Sequence, residues 1–175
     1  MNYQCQATPI KIRRGHIPKG YPGTLATVNH IGRLTKQGAK DFCVRQTAIN
    51  IFRAYCVRPK NYLGEITALF DWVRRNVRYT RDIFKVELLH SARRILELRA
   101  GDCDDMAIVL GAMLESTGHP VRLVIVGRDL KRKNRFSHIY LETLYKDRWL
   151  ALDATMNKPA GWAPPAPNKK IIELR

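Results

Sequence analysis

The sequence predicts an α+β domain, and three observations carry that reading. Up to about Ser116, apolar residues recur at helical spacing. After Pro120 the pattern changes to a short apolar run followed by alternation, the spacing of strands. No internal repeat interrupts this order, so helices come first and an antiparallel sheet second. The 175 residues make one domain's worth of chain, 45% hydrophobic and 26% charged, which reads as globular rather than disordered. The expected division of residues 1–175 is a basic arm over 1–35, a core over 36–155 and a Pro-rich tail over 156–175.

The elements follow in order. Residues 1–35 are rich in Gly, Pro and basic residues and predict an irregular or strand-forming arm. Asp41 to Tyr55 has helical spacing, with Val44, Ala48, Ile51, Phe52 and Tyr55 on one face. Gly64 to Val77 repeats it through Ile66, Leu69, Phe70, Val73 and Val77. Ser91 can cap a short helix, "ARRILEL", which Gly101 ends. A further helix is expected over Asp104–Ser116, closed by "TGHP". "VRLVIVG" then reads as a buried strand and "FSHIYLETLY" as an alternating one. "RWLALD" follows after a turn around Lys146 and Asp147. The tail "MNKPAGWAPPAPNKK" is expected to wrap the surface.

Composition sets limits. No apolar run approaches the roughly 20 residues of a membrane span. The start, "MNYQCQATPIKIRRG", lacks the apolar segment of a signal peptide. Cys5, Cys43, Cys56 and Cys103 contain no CxxC pair and are expected to be reduced thiols of a cytoplasmic protein, not a disulfide frame. The net charge of +16 points to an anionic partner, either nucleic acid, an acidic protein or an anionic cell-wall polymer, with general solubility as the competing explanation. The densest runs are Lys11–Lys19 and Arg128–Arg135, and Lys131, Arg132 and Lys133 are the candidate polyanion-binding residues. Neither run carries interleaved aromatics for base stacking. No membrane partner is expected.

The chemistry concentrates in "LRAGDCDDMAIVL". Asp102 is a good N-cap, which puts Cys103 in the first turn of a helix. Free backbone N–H groups and the helix dipole favour a thiolate there, so the Cys103 pKa is expected below the ordinary value. The neighbouring aspartates oppose this, and "GDCDD" alone suits a capped helix start equally well. A nucleophilic thiol needs a base, and the base an orienting group. His138 lies on the first strand of the hairpin and Asp153 ends the second. Folding between Tyr145 and Lys146 pairs 138 with 153 and 142 with 149, which puts His138 and Asp153 on one face. His90 and His119 read as loop and helix-end residues outside this relay. Asp104 and Asp105 read as first-turn acids and not as metal ligands, since no matching histidine or second carboxylate cluster stands near them in the chain.

In combination and order, "AGDCDDMAIVLGAMLESTGHPVRLVIVG", "SHIYLE" and "RWLALDAT" resemble the transglutaminase-like superfamily of papain-type thiol enzymes, most of all its small bacterial and bacteriophage-encoded members. The resemblance runs from about Ile66 to Thr155. It implies an α+β fold with the cysteine on a helix packed on an antiparallel sheet, and a triad of Cys103, His138 and Asp153. Family members often have proline where this chain has Ala154, and often one before the short helix where it has "HSARRIL". One oxyanion donor would be the Cys103 backbone N–H. In relatives an upstream aromatic supplies the second, which points to Tyr79. The expected function is thiol-dependent acyl transfer through a thioester on a protein or peptide substrate, with no cofactor. Protease, amidase and transglutaminase differ in donor and acceptor, which a triad does not encode. The alternatives are a basic nucleic-acid-binding or phage-assembly protein using the fold without turnover, and an inactive interaction module.

Overall fold

The computed structural model describes Cys5, residues 9–82 and residues 86–174. The element order is α1 (Tyr21–Ala39), α2 (Phe42–Ala54), α3 (Tyr62–Asn76), β1 (Arg78–Tyr79), α4 (Ala92–Leu98), β2 (Ala100–Gly101), α5 (Cys103–Ser116), β3 (Val121–Gly127), β4 (His138–Tyr145), β5 (Arg148–Leu152) and β6 (Asn168–Glu173). The last four strands form one antiparallel sheet in the order β5-β4-β3-β6. The class is α+β, as the sequence predicts.

Helix starts follow capping chemistry. The side chains of Asp41, Asn61, Ser91 and Asp102 accept backbone N–H groups at the starts of α2, α3, α4 and α5. Helix α5 is the axis of the molecule. Nearly all of it is buried, including Ile108, Val109, Ala112, Met113 and Leu114. It packs on the sheet through Ile139, Leu141 and Leu123, and the other four helices surround it.

Four expectations change. First, the arm region contains α1. Pro22 sits in its first turn, where the missing N–H costs nothing. A side chain at Gly38 would put its Cβ 2.6 Å from Ala92 Cβ and 2.8 Å from Ala112 Cβ, so glycine permits the close α1–α5 approach. Second, the tail supplies β6. Its "NKKIIE" pairs with β3 from Arg122↔Glu173 to Gly127↔Asn168. Third, Cys5 and Cys43 form a disulfide, and only Cys56 and Cys103 are free thiols. The cytoplasmic reading rested on reduced thiols and loses that support.

Fourth, the hairpin register moves. Lys146 and Asp147, both with positive φ, make a two-residue turn that pairs Tyr145 with Arg148, Glu142 with Ala151 and Leu141 with Leu152. The shift from the expected pairing is two residues. Because side chains alternate with period two, every residue keeps its face. No helix among the described residues is long and apolar enough to cross a membrane.

Candidate active site

Cys103 is the first residue of α5, and the turn in front of it is built by two aspartates. Asp102 Oδ1 accepts the N–H groups of Asp104 at 2.9 Å and Asp105 at 3.2 Å. The Asp105 carboxylate lies where a side chain on Gly101 would stand, so Gly101 is needed for close approach rather than for an unusual φ. Asp105 is held by His90, whose backbone N donates to Oδ1 at 3.0 Å and whose Nδ1 meets Oδ2 at 2.9 Å. The Asp105 hydrogen bond is the main reason the His90 pKa is raised. His90 thus fastens the segment before α4 to the start of α5, a link that no sequence spacing announced.

The pair expected on the hairpin is formed. His138 Nε2 and Asp153 Oδ2 are 2.8 Å apart. With the register moved by two, they are diagonal rather than directly opposed neighbours, still within reach for long side chains. Asp153 is 2% exposed, and its other oxygen accepts from Thr155 Oγ1 at 2.6 Å and Thr155 N at 3.1 Å. Thr155 therefore aims Oδ2 at the imidazole. An Asp followed two residues later by Thr is the sequence sign of such a local turn.

The thiol lies beside this pair. Cys103 and Asp153 line one cavity of about 10 Å³, room for a single water. The backbone N–H of Ile139, the residue after His138, favours the thiolate. Among the described residues, no hydrogen bond joins the thiol to the imidazole. The thiol instead meets Asp104 Oδ1 at 3.4 Å. The expected low thiol pKa is reversed. Burial pushes it well above the ordinary range, and the Asp104 and Asp102 charges add to this against the Ile139 N–H. Burial also raises Asp102 to about 6, and burial together with the hydrogen bond to Glu87 raises Asp104 to about 8. Dipole and free N–H groups favour a thiolate, but here desolvation and two carboxylates win.

The other expected residues fall in separate places. Tyr79 bridges Gly101 in the short parallel β1–β2 pair, with Thr80 N on Gly101 O at 2.8 Å. Its hydroxyl pKa is raised by burial, then by Cys103 and Asp102, which places the phenol within electrostatic reach of the thiol. Lys131, Arg132 and Lys133 lie exposed on the β3–β4 loop, which leads into His138 at the start of β4. His119 is buried and pairs with Glu65 Oε2 at 2.8 Å, a link between the end of α5 and α3. Ligand atoms of Asp102, Cys103 and Asp104 lie within 4.8 Å of one another, as do those of Asp82, Glu87 and Asp102. The carboxylate neighbours absent from the local sequence are thus supplied by the segment before α4.

The structure thus sets a helix-start cysteine near a histidine–aspartate pair on an antiparallel sheet. The chain belongs to the transglutaminase-like superfamily, whose profile matches residues 53–154. No curated protein matches the chain. Among solved structures it is similar to a candidate cysteine protease from Cytophaga hutchinsonii, at 22% identity over 64% of this chain and 37% of that one, TM-score 0.49. A candidate protease from Parabacteroides distasonis gives 13% identity over 87% of this chain and 32% of that one, TM-score 0.59. EGTA-treated LapG of Legionella pneumophila gives 18% over 82% of this chain and 78% of that one, TM-score 0.51. The chain spans about a third of the length of the first two. At these identities the likeness is one of fold.

Proposed function

We propose that the protein is a thiol acyl-transfer enzyme acting on amide bonds of a protein or peptide, with Cys103 as nucleophile, His138 as base and acid, and Asp153 as its orienter. The observation that carries this reading is the His138–Asp153 hydrogen bond, made through Nε2, beside a helix-start cysteine. With the proton assigned to Nε2, Nδ1 is the nitrogen left to take the thiol proton. The raised thiol pKa favours general-base catalysis over a preformed thiolate. Sγ attacks the carbonyl carbon while its proton passes to His138 Nδ1. The tetrahedral oxyanion is met by the Cys103 N–H and the Tyr79 hydroxyl. Collapse breaks the C–N bond, the leaving amine takes the proton from His138, and a thioester remains. Water or an amine then attacks the thioester, gives its proton to His138 and restores the thiol.

Unfolded protein substrate with and without a primary amine tests this. Wild type should release new termini or incorporate the amine. His138→Ala should lose nearly all turnover, and Asp153→Asn should lose orders of magnitude while keeping the fold. Hydroxylamine should release a thioester-bound acyl group from Cys103, read by mass spectrometry. Turnover that survives Cys103→Ala would sink the proposal.

A further inference from the structure

Two basic runs far apart in the sequence meet in the fold. Tyr21, two residues after Lys19, packs its ring against Phe136, the residue after Arg135, with ring centres 6.0 Å apart. The Lys170 ammonium lies over the Tyr21 ring at 4.9 Å and donates to the Tyr21 hydroxyl. Asn168 Nδ2 donates to the Asp129 carbonyl at 2.6 Å and to the Arg132 carbonyl at 3.4 Å, which fixes the β3–β4 loop to the start of β6. The C-terminal end of the basic arm and the basic loop therefore meet at one contact.

Their charges are not neutralised there. Among the described residues, Lys11, Arg13, Arg14 and Lys19 have no carboxylate within 4.0 Å, and all four are exposed. On the loop, Arg128, Lys131, Lys133 and Arg135 are exposed and equally unpaired. Arg132 alone meets Asp129, at 3.7 Å and with its side chain 69% exposed. Carrying so many unpaired cations on two adjoining segments costs self-repulsion, which an anionic polymer would relieve by releasing its condensed counterions.

We propose that the basic arm and the β3–β4 loop bind double-stranded nucleic acid through its phosphate backbone, acting as one surface. The aromatic rings at its base are engaged with each other and with Lys170, and neither run contains an aromatic residue. A single strand would lack its stacking platform, which leaves the regularly spaced phosphates of a duplex as the ligand. Four exposed aliphatic residues, Ile10, Ile12, Ile17 and Leu130, stand singly among these cations. They form no helix with an apolar face, the feature that holds a protein in a bilayer interface. This surface is independent of the acyl-transfer reading.

The test is fluorescence anisotropy of the full chain with a labelled DNA duplex of arbitrary sequence, over about 50–200 mM salt. Affinity should fall steeply with salt. The triple variants K131Q/R132Q/K133Q and K11Q/R13Q/R14Q should each flatten the log–log salt slope by about 2–3, and the combined variant should not bind. Circular dichroism melts show that the variants fold. Failure of wild type to bind at the lowest salt overturns the proposal, as does a slope that only one of the two variants changes. Tighter binding of single-stranded DNA, or binding to phosphatidylserine vesicles without binding to duplex, overturns it as well.

Discussion

At the residue scale, the decisive position is Asp104. Cys103 was legible from the sequence as a helix-start cysteine, but its titration was not, because that depends on carboxylates from two chain segments. Asp82 and Glu87 come from the segment before α4 and stand beside Asp102 and Asp104, whose own burial is the first cause of their raised pKa values. Below about pH 8 Asp104 carries a proton, and above it the new charge holds the thiol proton in place. Asp104→Asn should therefore alkylate at Cys103 much as wild type does at pH 7. At pH 9 it should be faster by about tenfold, the equivalent of one pKa unit. Iodoacetamide labelling followed by mass spectrometry checks this, with exposed Cys56 as internal reference. Equal rates at pH 9 would remove Asp104 from the account.

At the scale of elements, the outer face of the sheet carries an ion cluster the sequence did not announce. Glu142 on β4 is 4% exposed and receives Arg122 Nη2 from β3 at 2.6 Å and Lys169 Nζ from β6 at 2.8 Å. Burial pushes the Glu142 carboxyl up, but the bonds from Lys169 and Arg122 outweigh it and leave the pKa lowered. A carboxyl held low in the fold contributes stability that is present above the unfolded value of about 4.3 and lost as pH falls through the folded value. Glu142→Gln should cost about 2–3 kcal/mol at pH 7, less than breaking a fully buried pair because Lys169 is partly exposed. Urea unfolding should show that gap closing toward pH 3. The cluster also explains what the sequence hid. β4 and β5 were legible by alternation, and their register slipped harmlessly by two. β6 was not legible, because its half-buried positions are Asn168, Lys170 and Ile172, only one of them apolar, and "APPAP" precedes it. Helix α1 was hidden for a related reason. It meets α5 through Thr35 and Gly38, and small or polar residues at a close crossing leave little apolar periodicity.

At the scale of the whole molecule, the family match begins at residue 53, yet α1 and α2 lie before it and pack on the same central helix. The matched region alone would leave one side of α5 bare. The Cys5–Cys43 bond ties the far end of the arm to the first turn of α2, across 38 positions of sequence. By chain-entropy reasoning, closing a loop of that length stabilises by about 4 kcal/mol. Thermal unfolding in reductant should therefore shift down by about 10 °C. A midpoint that does not move would show that the bond does not constrain the unfolded chain. The arm is in effect a hoop, with Lys11, Arg13, Arg14 and Lys19 on its circumference. Trypsin can cut the hoop at any of these residues without releasing a fragment. On a gel the nicked protein would run as one band until a thiol reagent is added, and only then part into two.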